Sequence, residues 1–243
     1  MEHDRQNITA KARLLNEMNN TENHYSNAGM MIDASAIELN TTHGALYAET
    51  ISNVCIIFTD IVGFSQVALD MNPIKVMGML QDLFSRFDAL CDKHGIRKLE
   101  TIGDAYIATT DMFAEENGKH LRSNAVKALS VAKDMVGEAR RVLIPKKNQL
   151  QPLEIRVGIH IGEVTAGVLG ERLPKFTVFG TAVNVSARME QTCLPSMIRV
   201  TKDFFDLLPA SEVGYKKEVI SIKNMGEVET YLIDPMQGLV LNM

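Results

Sequence analysis

Hydrophobic positions along the chain switch between strand-like and helix-like spacing. Residues 54–60 (VCIIFTD) form a short apolar run rich in β-branched residues that ends on an acid, which is typical of a buried strand. Over residues 74–91, apolar side chains recur at intervals of three and four, and Asn72 and Pro73 precede them. This spacing predicts an amphipathic helix that ends near Gly95.

The same strand and helix patterns recur toward the C-terminus. Residues 96–102 and 105–110 are strand-like and are joined by Gly103 and Asp104, a hairpin signal. The later predicted elements are a helix over 119–142, a strand pair over 153–160 and 163–169 that turns at 161–162, a helix over 180–193, and short strands around a helix at 203–208. Repeated strand, helix and hairpin units predict an α+β sandwich with helices over one antiparallel or mixed sheet.

The pattern also divides the chain into three parts. Residues 1–50 are rich in Asn, Thr, Ser, His and Met without a sustained period, which predicts a largely irregular leader or linker. One folded domain is predicted over residues 51–235. Residues 236–243 are predicted to form a C-terminal tail.

Composition narrows the class of protein and of partner. The chain has 243 residues, 46% of them hydrophobic, and a net charge of -5, so it lacks the basic footprint of a nucleic-acid-binding protein. Three cysteines far apart in apolar surroundings suggest neither disulfides nor a zinc site. No run approaches the roughly 20 apolar residues of a membrane span, and no secretory signal is present. We therefore expect a cytoplasmic protein, or the cytosolic domain of a larger membrane protein.

Two acids are candidates for chemistry. Asp60 closes the first strand before a loop that contains Gly63, where backbone N–H groups can approach an anion. Taken alone, this arrangement also fits a turn or helix-capping aspartate with a packing glycine. Asp104 lies at the hairpin tip and, taken alone, is a common turn residue. If the tip lies beside the end of the first strand, the two carboxylates could bind hard cations such as Mg²⁺.

Four segments, in this order, resemble the class III adenylyl and guanylyl cyclase homology domain: FTDIVGFS, KLETIGDAY, RVGIHIGEVTAGVLG and FGTAVNVSARME. The resemblance covers roughly residues 50–235 as one colinear series. It implies a ferredoxin-like βαββαβ core with additional strands and helices, and a head-to-tail homodimer with active sites at the interface. It also implies conversion of a nucleoside triphosphate to a 3′,5′-cyclic nucleotide and pyrophosphate with two Mg²⁺ or Mn²⁺ ions per site. An upstream receptor or regulatory domain is a further implied partner.

The resemblance assigns the metal and phosphate sites. Asp60 and Asp104 match the two metal-binding aspartates, and the carbonyl of Ile61 matches an additional ligand. The segment that matches the cradle for the β- and γ-phosphates includes Gly63, Phe64 and Ser65.

Three further residues acquire roles from the same resemblance. Arg156 matches a phosphate-binding arginine, although alone it reads equally well as a solvated strand residue. Asn184 and Arg188 lie four apart on one face of a predicted helix, where such residues are usually just surface. In the family they match the asparagine that orients the ribose and the arginine that stabilises charge at the α-phosphate.

Lys223 aligns with a lysine that contacts the triphosphate. The family commonly has KGKG there, whereas this chain has KNMG, so Asn224 and Met225 are departures. We expect a loop that is less flexible and less basic, in which one lysine still supplies a positive charge.

Base choice is expected to rest on Glu100 and Thr177, which match the family's two base-selecting positions. A carboxylate can accept from guanine N1–H and N2–H₂ together, so Glu100 favours GTP. Thr177 suits either purine because its hydroxyl can donate or accept. A salt bridge from Glu100 to Lys98 or Arg97 on an exposed strand would instead leave base choice loose.

Several alternatives stay open. The chain could be an adenylyl cyclase that converts ATP to cAMP, or a non-catalytic nucleotide-binding regulatory domain. Another ferredoxin-like palm enzyme, such as a diguanylate cyclase or polymerase domain, would also use two carboxylates, but diguanylate cyclases carry a GGDEF-type hairpin where this chain has TIGDAY. A structural oligomerisation module would need only the apolar helices.

Overall fold

The computed structural model describes residues 47–110, 112, 120–146, 149–169, 175–209, 214–222 and 225–236. Most of the predicted leader and of the predicted tail therefore lies outside the described residues, as does Lys223. The described strands and helices, in chain order, are β1 (Tyr47–Ile61), α1 (Phe64–Asp70), α2 (Pro73–His94), β2 (Ile96–Ile102), β3 (Ala105–Thr110), α3 (Leu121–Ala139), β4 (Leu143–Lys146), β5 (Gln149–Pro152), β6 (Ile155–Leu169), β7 (Lys175–Phe179), α4 (Thr181–Gln191), β8 (Ile198–Thr201), α5 (Lys202–Phe205), β9 (Tyr215–Ile222) and β10 (Gly226–Ile233).

The sheet confirms the α+β class and the ferredoxin-like core. Its strand order is β2-β3-β1-β6-β8-β10-β9, and β7 pairs with β6 off this path. Neighbours among β2, β3, β1 and β6 are antiparallel, so β1-α2-β2-β3-α3-β6 forms the βαββαβ unit. The β6–β8 pair is parallel and adds β8, β10 and β9 to the core, while β4 and β5 form a separate two-stranded sheet.

Helix α2 begins and ends where its sequence predicts. The Asn72 side chain accepts a hydrogen bond of 2.9 Å from the Ile74 N–H, and Pro73 occupies the first turn. Lys93 and His94 lie in the last turn, where positive charge is favourable. Helix α2 therefore runs without interruption along the sheet between two well-defined ends.

The strand pair predicted over 153–160 and 163–169 is wrong. Residues 155–169 form one continuous strand, β6, which pairs with β1 on both sides of Gly162. A Cβ at this glycine would lie 3.0 Å from the Cβ of Ala182 in α4. The glycine therefore allows α4 to pack closely on the strand. In the sequence alone, a glycine with this role looks the same as a glycine in a turn.

Strand β1 is longer than the sequence pattern indicates. It begins at Tyr47, inside the segment predicted to be a leader. Its pairing register with β6 shifts between Ile51 and Val54, where Asn53 has a φ of 64°. This bulge interrupts the two-residue alternation, so the first part of the strand shows no recognisable period.

Two apolar clusters lie on opposite faces of the sheet. Helices α2 and α3 cover the larger cluster, which includes Leu83, Phe87 and Met135. The smaller cluster contains Ile56 and Ala182 and is covered in part by α4. Asp60 lies four residues after Ile56 on β1, so its side chain shares this second face.

Candidate active site

Asp60 and Asp104 are brought together at one end of the sheet. Asp60 is the penultimate residue of β1, and Asp104 lies in the turn between β2 and β3, where Gly103 has a φ of 62°. Burial and then the charge of Asp60 raise the pKa of Asp104 to about 6, while a backbone hydrogen bond from Ile61 lowers it. The pair therefore has the mutual repulsion that a bound cation would relieve.

The donor set at this pair suits a hard divalent cation. No group of three or more His, Cys, Asp or Glu side chains placed to hold a metal occurs within the part of the chain that the structure describes. Mg²⁺ is usually bound by one or two carboxylates together with waters and substrate phosphates. Two aspartates that lie together at one end of the sheet fit that requirement.

The loop after β1 leads directly into a short helix. Gly63, with a φ of 70°, precedes α1, and its carbonyl accepts from the N–H groups of Gln66 and Val67. The first N–H groups of a helix have no acceptor within that helix, so those of Phe64 and Ser65 are suited to an anion. Gly63 is needed because the left-handed conformation is unfavourable for other residues.

Arg156 on β6 connects Asp60 to helix α4. Its Nη2 lies 2.6 Å from Asp60 Oδ2, and its Nε lies 2.8 Å from Glu190 Oε1. Asp60 and Arg156 are direct cross-strand partners in the β1–β6 register. The arginine is therefore an ion-paired residue of the site and not a solvated strand residue.

Glu190 is a site residue that the sequence analysis missed. It is buried near the C-terminal end of α4, and desolvation raises its pKa to about 7 against the opposing effect of Arg156. Its signal was the helical period: Ala182 and Ser186, at four-residue intervals before it, are also buried. A glutamate on an inward helix face is uncommon and needs a partner.

Glu100 and Thr177, the two residues that match base-selecting positions, line one pocket. The other residues around it are apolar: Leu99, Ile107, Phe176, Val178 and Val183. Glu100 forms an ion pair with Lys175, a second residue that the sequence analysis missed. Lys98, one of the two partners considered for a salt bridge that would leave base choice loose, contacts Asp88 at 2.9 Å instead.

Asn184 and Arg188 lie on the outward side of α4. Asn184 is exposed, and Arg188 is half-buried with its Nη1 2.6 Å from Gln191 Oε1. The inward side of the same helix carries Glu190, which contacts Arg156. The fold thus brings Asp60 and Asp104 together with Arg156. It places Glu100 beside Thr177 in a separate pocket. Asn184 and Arg188 lie apart from both groups, on an outer surface.

The three cysteines are free and buried. Burial raises the pKa of Cys55 to about 12 and the pKa values of Cys91 and Cys193 to about 11. These thiols stay protonated near neutral pH and are poor nucleophiles.

Among the described helices, none combines the length and apolar character needed to cross a membrane.

Comparison with known proteins places these features in a family. Residues 46–235 match the sequence model of the "Adenylate and Guanylate cyclase catalytic domain". Guanylate cyclase 2D of Rattus norvegicus is 35% identical over 208 residues, which are 84% of this chain and 18% of that protein. The chain thus spans about a fifth of the length of this relative.

Solved structures agree with the sequence relatives. The guanylate cyclase domain of RhGC from Catenaria anguillulae, in complex with GTP, aligns with a TM-score of 0.68 at 25% identity over 79% of this chain and 99% of that one. The catalytic core of a rhodopsin-guanylyl cyclase with converted specificity, in complex with ATPαS, gives 0.67 at 26% identity over 76% and 97%. The chain therefore belongs to the family of adenylate and guanylate cyclase catalytic domains, which are nucleotidyl cyclases.

Proposed function

We propose that this chain converts GTP to 3′,5′-cyclic GMP and pyrophosphate. The observation that carries the proposal is the convergence of Asp60, Asp104 and Arg156 at one end of the sheet. Two carboxylates and a guanidinium in one place can hold divalent cations and a triphosphate together. The reaction joins the substrate 3′-oxygen to the α-phosphorus and releases pyrophosphate.

Asp60, Asp104 and Arg156 bind the reacting end of the substrate. Two Mg²⁺ or Mn²⁺ ions held by Asp60, Asp104 and the Ile61 carbonyl would lower the pKa of the 3′-hydroxyl and neutralise triphosphate charge. Arg156 supplies planar donors to phosphate oxygens. The backbone after Gly63 positions the β- and γ-phosphates, and Lys223 adds a positive charge to the same group.

Base recognition is assigned to the pocket that contains Glu100 and Thr177. The Glu100 carboxylate accepts from guanine N1–H and N2–H₂, whereas adenine N1 is an acceptor that it would repel. Lys175 orients this carboxylate through their ion pair. The Thr177 hydroxyl lies 3.4 Å from the Lys175 carbonyl and can rotate to donate to guanine O6.

We propose a head-to-tail homodimer as the active form. Asn184 and Arg188 face outward on α4, while the metal pair contacts the inward side of that helix through Arg156. A site completed within one chain would need both helix faces at once. In a head-to-tail pair, Asn184 and Arg188 of one protomer orient ribose and stabilise α-phosphate charge at the metal pair of the other.

ATP is the second candidate substrate, because the Thr177 hydroxyl could equally accept from adenine N6–H₂. Since nucleoside triphosphates and reduced cysteines belong to the cytosol, we place the domain there, free or within a larger receptor-type protein. A purely regulatory domain is disfavoured because Asp60, Asp104, Asn184 and Arg188 are all present.

Product analysis with GTP and ATP in parallel, each with Mg²⁺ and with Mn²⁺, tests the proposal. We expect cyclic GMP to dominate and Asp104→Ala to abolish it while the variant unfolds with a normal transition. Dominant cyclic AMP would contradict the role of Glu100, and full activity of Asp104→Ala would contradict the metal site.

A further inference from the structure

Arg156 has two carboxylate partners that differ in exposure. The Asp60 side chain at its Nη2 is 24% exposed, whereas the Glu190 side chain at its Nε is 4% exposed. One partner therefore lies at the open end of the site, and the other lies in the interior.

The Asp60 contact and a bound cation compete for one carboxylate. Asp60 Oδ2 is 2.6 Å from the guanidinium, so a cation that takes this oxygen must weaken or displace the ion pair. A free arginine side chain would lose its orientation on release, because its rotamers are many. A second, fixed partner prevents that loss.

Glu190 is well placed to be the fixed partner. Helix α4 is anchored where Ser186 Oγ donates to the carbonyl of Ile56 at 3.0 Å. It also lies so close to β6 that a Cβ at Gly158 would be 2.1 Å from the Glu190 backbone nitrogen. The backbone position of Glu190 is therefore set by packing of α4 against the sheet and does not depend on Asp60 or Asp104.

We propose that Glu190 is a positioning residue that holds Arg156 by its Nε. The Asp60 carboxylate is then available to bind a cation, while the Nη groups of Arg156 contact substrate phosphate. The inference rests on the proposed metal-dependent function. It predicts that Glu190 promotes cation binding at a distance by drawing positive charge away from Asp60. Without Glu190, the guanidinium would pair with Asp60 alone and compete more strongly with the cation.

A double-mutant cycle read by cation affinity tests this role without turnover. Mn²⁺ alone is titrated calorimetrically into the wild type, Glu190→Gln, Arg156→Gln and the double variant, with thermal unfolding to verify folding. We expect Glu190→Gln to weaken Mn²⁺ binding about tenfold, in the range for groups that support metal ligands. We expect no further loss from Glu190→Gln in the Arg156→Gln background, because the effect passes through the arginine.

The matched control is Glu138→Gln, which breaks another glutamate–arginine pair, formed by Glu138 of α3 and Arg86 of α2 at 3.0 Å. It should leave Mn²⁺ affinity unchanged. Equal weakening by Glu190→Gln in both backgrounds, or no weakening in either, would overturn the positioning role. Absence of Mn²⁺ binding by the wild type would overturn the metal site itself, and the positioning role with it.

A second variant covers the case in which Glu190→Gln does not fold. Glu190→Asp keeps the charge but shortens the side chain, so it should weaken Mn²⁺ binding severalfold in the wild-type background only. The same loss in the Arg156→Gln background would refute the proposal.

Discussion

Replacing Glu100 by Gln tests the proposed base selection. A carboxylate can accept from two adjacent guanine donors, whereas the amide of Gln offers one acceptor and one donor. The Glu100 side chain is 23% exposed, so water still reaches part of its carboxylate. Hydrogen bonds to a charged group contribute about 1.5–3 kcal/mol, which corresponds to a loss of roughly 10- to 150-fold in kcat/KM for GTP.

ATP should respond differently to the same change. The new amide N–H can donate to adenine N1, so kcat/KM for ATP should stay constant or rise. The assay is chromatographic separation of cyclic GMP and cyclic AMP over a range of each substrate. Glu229→Gln is the matched control, since it removes another lysine–glutamate pair, formed by Glu229 of β10 and Lys217 of β9 at 2.7 Å, and should leave the ratio unchanged. An unchanged ratio in Glu100→Gln would refute the assignment of Glu100.

Two further predictions concern stability. Gly158→Ala should lower stability by about 3 kcal/mol and Tm by roughly 6–12 °C, because its Cβ meets the backbone of α4. Gly137→Ala, in helix α3 with open space around its Cβ, should raise Tm slightly, and calorimetry compares the two. The pKa values of Asp104 and Glu190 are raised to about 6 and 7, so without metal both groups favour folding at acidic pH and lose that contribution as pH rises through 6–7. The increase in Tm caused by Mn²⁺ should therefore be larger at pH 8 than at pH 5.5; equal increases would contradict this linkage.

The parts of the fold that follow from local spacing could be predicted from the sequence. Helix α2 and the β2–β3 hairpin have strong local signals: a capping Asn72, a three- and four-residue apolar period, and Gly103 at the turn. Residues 155–169 could not be assigned as one strand because Gly162 has the same sequence signature in a turn and beneath a helix. Local pattern does not distinguish a bend from a close approach.

The candidate site shows a similar division. Asp60, Asp104 and Glu100 can be named from the sequence because they lie within motifs whose order along the chain is informative, and Thr177 because it lies two residues before one. Lys175 and Glu190 were missed because their roles come from contacts across 75 and 34 residues of sequence.

Asn184 and Arg188 illustrate a limit that one chain imposes. Their helical spacing places them on one face of α4, as predicted. That face is directed away from Arg156, which contacts Asp60. The proposed active site therefore takes these two residues from a second copy of the chain.

Mixing two inactive variants measures this requirement directly. Asp60→Ala lacks a carboxylate proposed to bind the cations, and Arg188→Ala lacks the arginine proposed to stabilise charge at the α-phosphate. Each homodimer should therefore be inactive. After subunit exchange at equal concentrations, about half of the dimers should be mixed and each should hold one intact site, which gives about one quarter of wild-type cyclic GMP production. Activity near that value would support sites shared between protomers. Failure of the exchanged mixture to exceed either variant alone would contradict it.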